Sequence, residues 1–213
     1  MSVQVFSRLA ICALLASCTV DTPESSEGDS AHGDSATVTQ DPSSDTAAAA
    51  QSPADSPPNS RLLTPDGWGP LRIGMSRSEV VAAAGEDANP EAVGGPTPEQ
   101  CDEFRPRNAP EGVLVMLEEG VLTRISVSRD TGIETPAGFR VGDSGARILE
   151  AYGALARVEP HPYWEPPARY VTVWRAASSG RERRGIRYEI DTGDQIVHMR
   201  AGGPSIEYRE GCV

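Results

Sequence analysis

The sequence predicts an α+β fold made of two tandem units, each a short helix or two packed on an antiparallel β-meander sheet. Two observations predict it. LRIGMSRSEVVAAAG at residues 71–85 returns as FRVGDSGARILEAYG at residues 139–153. After each copy the apolar spacing changes from a helical period to alternation, the spacing of half-buried strands. One such unit buries too little apolar surface to be stable alone, so two packed together share a core. The repeats run over about 67–130 and 138–213.

In the first copy Arg72-Ile73-Gly74 is an extended lead-in, and Ser76 with Glu79 has the spacing of a capping box. Val80, Val81 and Ala84 fall on one helical face, and Gly85 ends the helix. Alternation then predicts strands over 112–118 and 121–129, joined by a tight hairpin at Glu119-Gly120, with a further short strand around Cys101. The second copy repeats the plan. Arg140-Val141-Gly142 leads in, Ser144 is the expected cap, Ile148, Leu149 and Tyr152 occupy the same face positions, and Gly153 stops the helix. Strands are expected over 170–176, 185–191 and 195–200, the last two turning around Thr192-Gly193-Asp194, with a final strand over 206–209.

The first 17 residues read as an export signal: one cation, Arg8, then LAICALLA, an apolar run too short to cross a bilayer. Leu15-Ala16-Ser17-Cys18 resembles the lipobox of bacterial lipoproteins. The resemblance implies cleavage before Cys18, lipidation of that cysteine and a membrane anchor of several acyl chains. With Thr19 rather than aspartate next, it also implies the outer membrane, facing the periplasm. An ordinary secretory signal would instead leave Cys18 a plain thiol.

From Thr19 to Ser60 there are eight carboxylates, no Lys or Arg and no aromatic residue. With Cys18 this makes 18–60 a self-repelling tether, predicted disordered because it has too little apolar surface to offset the entropy of ordering. Its r.m.s. reach is roughly 35 Å. A docking tail for a basic partner is the other reading of the same acidic run. Residues 61–213 are long enough for one globular domain burying roughly 70% of its unfolded surface.

Of the four cysteines, Cys12 leaves with the signal and Cys18 takes lipid, so Cys101 and Cys212 remain. In an oxidising periplasm they pair, closing a loop of about 110 residues worth roughly 4–5 kcal/mol in the chain-entropy model. A metal-binding or redox-active thiol pair is the competing reading, although there is no C-x-x-C.

Gly74-Met75-Ser76 followed by Glu79-Val80 is similar to the G-M-[ST]-x-x-[EQ]-V helix start of small envelope proteins. These are the BamE (SmpA)-like outer-membrane assembly lipoproteins and the β-lactamase inhibitory protein (BLIP)-like superfamily. The second implies tandem repeats of helices against an antiparallel sheet, whereas BamE-like proteins are single units on short tethers. The similarity covers two stretches of about 15 residues and the strand order. The second copy departs from it with Gly142-Asp143-Ser144. The single cysteine pair would also join the halves, where the inhibitor has a bridge within each repeat. No binding residue carries over.

The formal net charge of -12 disfavours nucleic acid and anionic membrane surfaces as partners. All 19 basic residues are Arg, so no lysine chemistry is available. The domain holds two histidines. His198 lies in Ile196-Val197-His198-Met199, where alternation puts it on the face opposite Val197 and Met199 as an exposed or satisfied strand residue. His161 sits in the proline-rich loop Glu159-Pro160-His161-Pro162-Tyr163-Trp164. There is no H-E-x-x-H, G-x-S-x-G, phosphate loop or zinc spacing, so no catalytic residue, metal or cofactor is assigned. Glu189, Asp191 and Asp194 could surround calcium at one turn, but turn chemistry explains both aspartates equally.

The aromatic residues are more suggestive. Tyr163, Trp164, Tyr170 and Trp174 fall within twelve residues of an aromatic-poor chain, interleaved with Pro166, Pro167, Arg169 and Arg175. His161, Tyr163, Trp164 and Arg169 form a candidate binding surface, because large flat side chains gain contact area at low entropic cost. The same residues also suit a strand core with a stapled loop. The chain as a whole therefore reads as an outer-membrane-anchored, non-enzymatic binding or scaffold module whose partner is another envelope protein. The alternative is a small envelope hydrolase or glycan-binding module using Tyr163 and Trp164 as stacking platforms.

Overall fold

The computed structural model describes residues 62–92, 94–176 and 179–212; the expected export signal, Cys18 and the expected tether lie outside the described residues. A small ribbon of β1 (Gly67–Trp68) and β2 (Leu71–Arg72) leads into α1 (Arg77–Ala84). The capping box forms as the spacing predicts: the Glu79 N–H donates to Ser76 Oγ, and the Ser76 N–H donates to Glu79 Oε2 at 2.8 Å. The hydrogen bonds from Ser76 hold the Glu79 carboxyl below its usual range. Gly85 ends the helix at φ 88, a left-handed conformation that glycine adopts at little cost.

β3 (Cys101–Phe104), β4 (Val113–Glu118) and β5 (Val121–Val127) follow. The β4–β5 hairpin turns on Glu119 and Gly120, both at positive φ, as a two-residue turn matching the strand twist requires. Then come α2 (Ala146–Tyr152), β6 (Ala156–Pro160), β7 (Arg169–Trp174), β8 (Gly185–Ile190) and β9 (Ile196–Gly202). A helix followed by a meander thus occurs twice. The seven strands from β3 to β9 form one sheet in the order β3-β4-β5-β9-β8-β7-β6, all neighbours antiparallel. The last strands of the two meanders, β5 and β9, pair with each other, which merges the expected meander sheets into one.

One face of this sheet carries the core. Phe104, Val115, Ile125, Ala201, Ile186 and Val173 lie side by side across six strands. Val80 of α1, Ile148 of α2, Leu63 and Leu71 belong to the same buried cluster. Tyr188 is fully buried there with Phe139 edge-on at 5.9 Å, and burial pushes its phenol up.

Four local expectations change. Residues 206–209 are not a strand: Pro204–Glu207 is a 3-10 turn begun by proline, whose fixed φ suits a helical start. β6 was not expected, because it is an edge strand with charged residues and no need for an apolar alternation. Val197 is the extra residue of a bulge, since Glu189 pairs with His198 while Ile190 pairs with Ile196. The core side of β9 is therefore marked by Ile196 and Met199.

Ser144 does not cap α2, which starts after Gly145 without a side-chain cap of its own. Asp194, from the β8–β9 turn, accepts from the Ala146 N–H at 3.1 Å and the Ser144 hydroxyl at 2.8 Å, while its other oxygen accepts from Arg169 at 2.6 Å. Burial opposes its charge, but these hydrogen bonds outweigh burial and hold the carboxyl below its usual range. Asp194 also sits at φ 61, where Asp and Asn are tolerated best among non-glycine residues. Asp194→Ala is expected to lower stability by about 1–2 kcal/mol, and Asp194→Asn by less, in urea titrations. Equal stability of the alanine variant would refute the capping role.

Candidate functional site under the C-terminal segment

Strand alternation puts the polar residues on the other face of the same sheet. One cross-strand row reads Glu159, Tyr170, Glu189, His198. The next reads Arg157, Thr172, Arg187, Arg200, Ser126. A third brings Arg124 beside Met116 and Glu103. Such a face would normally meet water. Here two chain segments cover it, the loop 161–168 and the C-terminal segment 203–212, and Arg124 and Arg187 are each only 3% exposed.

The covering contacts are polar. Arg124 pairs with Glu103 and donates to the Ser205 carbonyl at 3.1 Å. Glu103 also accepts from the Cys212 N–H at 3.3 Å. Arg200 donates to the Tyr208 carbonyl at 3.4 Å, and Arg157 reaches Glu207 at 3.0 Å. Cys101 and Cys212 form a disulfide, with Cα atoms 5.4 Å apart, that ties the C-terminal segment to the start of β3. Burial lowers the Arg124 guanidinium pKa; the Glu103 carboxylate opposes this, and the charge of Arg200 adds to it.

Glu189 is the hub of the first row. It accepts from Arg200 at 2.6 Å, lies 3.4 Å from His161 Nε2 and stands 3.5 Å from His198 Nδ1. Burial penalises its charge, yet the neighbouring His198, Arg200 and His161 side chains together hold the carboxyl at about 2. Beside it Arg187 donates to Thr172 at 2.7 Å and Glu159 at 2.8 Å, with its guanidinium 4.0 Å from the centre of the Tyr170 ring.

Of the sequence-predicted surface, His161 lies underneath. Its ring stacks on Trp164 at 4.2 Å and meets Tyr170 at 4.9 Å. Its Nδ1 accepts from the N–H groups of both Tyr163 and Trp164 at 3.2 Å, which leaves the Nε2 proton for Glu189. His161 therefore pins the loop and is not part of the outward face. Arg169 is turned inward too, held by Asp194 and the Pro167 carbonyl. Tyr163, 65% exposed, and Trp164, 40% exposed, remain on the outside.

The structure adds a residue that sequence reasoning missed. Tyr208, 44% exposed, joins Tyr163 on a cleft of about 490 Å³ whose walls include Glu118, Arg209, Glu210 and the disulfide. Tyr163 donates to Glu210 at 2.7 Å and Tyr208 to Glu118 at 2.8 Å. The only hint in the sequence was the cysteine pairing, which folds residues near Cys212 back over the sheet.

Both histidines gather at one carboxylate, an arrangement that can orient an imidazole as a base. Among the described residues, however, no side-chain hydroxyl or thiol hydrogen bonds to either ring, and no group of three metal-ligating side chains is present. The calcium reading of Glu189, Asp191 and Asp194 fails on geometry. Glu189 joins the polar sheet face, Asp191 accepts from the N–H groups of Gly193 and Gln195, and Asp194 caps α2. Among the described residues no helix is long and apolar enough to cross a membrane.

No protein-family model matches the chain, and no curated protein does. Among solved structures it is similar to an extracellular protein containing an SCP domain from Bacillus anthracis strain Ames, at 10% identity and a TM-score of 0.41. That match covers 62% of this chain and 44% of the other, so the chain spans less than half of that protein. It is also similar to a DUF4309 family protein, YjgB, from Bacillus subtilis, at 16% identity and a TM-score of 0.39, over 65% of this chain and 84% of that one.

Proposed function

We propose that this chain is a lipid-anchored protein of the outer membrane whose domain is a non-enzymatic module binding another envelope protein. The carrying observation is the exposed aromatic group. Tyr163 and Trp164 come from the β6–β7 loop and Tyr208 from the C-terminal segment, and Tyr163 and Tyr208 share one cleft. Large aromatics on surfaces held from below are the usual anchors of protein interfaces. His161 stacking and the disulfide hold these two segments in place.

The anchor rests on the lipobox resemblance at Cys18 and the acidic composition of residues 19–60. A duplicated origin, of the kind found in the BLIP-like superfamily, is supported by the recurring 15-residue stretch and by the helix-then-meander order on either side of the β5–β9 pairing. A glycan-binding module is the second reading. It is favoured by Trp164, whose ring lies flat on His161 while the side chain stays 40% exposed, as a sugar-stacking platform would.

The full-length protein, disulfide intact and in mild detergent, is expected to capture a discrete envelope protein by cross-linking. The purified captured protein should bind Tyr163→Ala/Tyr208→Ala at least about tenfold more weakly than the wild type, the loss of two interface aromatics. Unchanged affinity would move the interface elsewhere. Capture of cell-wall glycan alone, lost in Trp164→Ala, would replace this reading with the second one.

A further inference from the structure

Between the polar sheet face and the C-terminal segment lies a cavity of about 220 Å³. Four arginines line it, Arg105, Arg124, Arg200 and Arg209, against two carboxylates, Glu103 and Glu210. Glu103 is engaged by Arg124 and the Cys212 N–H, and Glu210 by the Tyr163 hydroxyl. Arg105 and Arg209 form no ion pair among the described residues. Donors thus exceed acceptors around a cavity in a protein whose overall charge is strongly negative.

Two buried groups in the lining sharpen the point. Arg124 is 3% exposed, and its Nε–H has no hydrogen-bond partner among the described residues, whereas buried donors normally find an acceptor. Ser126, 7% exposed, adds a hydroxyl to the same wall. We propose that this cavity binds a small oxyanion, a phosphate, sulfate or carboxylate group, with Arg124, Arg105 and Arg209 as its cationic contacts and Ser126 as a hydroxyl donor. Guanidinium groups suit this ligand because their planar donor fork matches two oxygens at once. Arg200, already directed at Glu189 and the Tyr208 carbonyl, adds charge. Arg124, whose Nη atoms serve Glu103 and the Ser205 carbonyl, offers its Nε–H, so the free forks are those of Arg105 and Arg209. Size narrows the class. The space equals roughly seven water molecules at about 30 Å³ each, enough for an inorganic anion or a short organic acid and below the roughly 300–1,000 Å³ of sites for larger ligands. The cavity shares Arg209, Glu210 and Gly211 with the aromatic cleft, but the anion proposal does not depend on the partner reading.

The test is a titration of the full-length protein with inorganic phosphate, inorganic sulfate and succinate at constant ionic strength, observing arginine Nε–H resonances. At least one anion is expected to shift the Arg124 signal saturably, and Arg105→Gln/Arg209→Gln to weaken that binding about tenfold or more. Preference for phosphate and sulfate would identify a tetrahedral group, and preference for succinate a carboxylate. Arg157→Gln, on the same sheet face but outside the cavity, should bind as the wild type does. The proposal is overturned by no saturable shift with any of the three anions. It is equally overturned by unchanged affinity in the double variant, or by an equal loss in Arg157→Gln, which would reduce the effect to net charge. A thermal melt of each variant confirms that it remains folded.

Discussion

Glu189→Ala is expected to cost about 3–5 kcal/mol of folding stability, because it leaves Arg200 without its partner at a largely buried position. Glu189→Gln should cost less, since the amide still accepts one hydrogen bond. Adding Arg200→Met to Glu189→Ala should recover part of the loss, the non-additivity expected of groups in one network. The same carboxylate links stability to pH. Its folded pKa of about 2 lies below its unfolded value of about 4.5, so its stabilisation is fully present above the unfolded value and is lost as pH falls through the folded one. The difference amounts to roughly 3 kcal/mol. In urea titrations the gap between wild type and Glu189→Gln should therefore be widest near neutral pH and shrink between about pH 5 and pH 2. A gap that is the same at both ends would show that Glu189 binds no linked proton.

Opening the Cys101–Cys212 bridge is the second large effect. The bridge spans 111 positions, and its loss in Cys101→Ser/Cys212→Ser should lower stability by about 2–5 kcal/mol. The loss has a direction in space. The end of the segment beyond Tyr208 is held by the bridge, the Cys212–Glu103 contact and the Tyr163–Glu210 contact, whereas Ile206 and Ser205 are anchored by burial. Carboxypeptidase digestion after reduction should accordingly remove the last residues first and pause near Ile206. If the reduced protein resists digestion as the oxidised one does, the non-covalent contacts alone hold the cover. A stability change below about 0.5 kcal/mol would show that the bridge constrains the unfolded chain little.

Several features depend on neighbours in the chain and were legible in the sequence for that reason. The α1 capping box is a three-residue spacing, the Glu119-Gly120 hairpin needs two residues at positive φ, and the alternation in β4, β5 and β8 reports a sheet with one apolar face. The Cys101–Cys212 pairing was legible by arithmetic, because the other two cysteines had assignments. Ser144 was misread because the α2 cap comes from Asp194, fifty positions away, and a local pattern carries no trace of it. His161 was misread because a histidine between prolines looks like loop surface until Trp164 stacks over it.

The polar sheet face marks the division most sharply. Two arginines, a glutamate and a histidine alternating along β8 and β9 read as a solvated surface, since charged groups avoid burial unless they are paired. The order of residues was enough to determine that the fold is α+β, that its strands have one apolar face, and which two cysteines close the chain. Only the tertiary structure decided that the charged face is covered. The loop 161–168 and the segment 203–212 both cross it, withdrawing water from a face on which Arg124 pairs with Glu103 and Arg200 with Glu189. That covering brought His161 to Glu189 beside its strand neighbour His198, brought Tyr208 to the same cleft as Tyr163 and enclosed an arginine-lined cavity, because distant segments converge only when the chain folds.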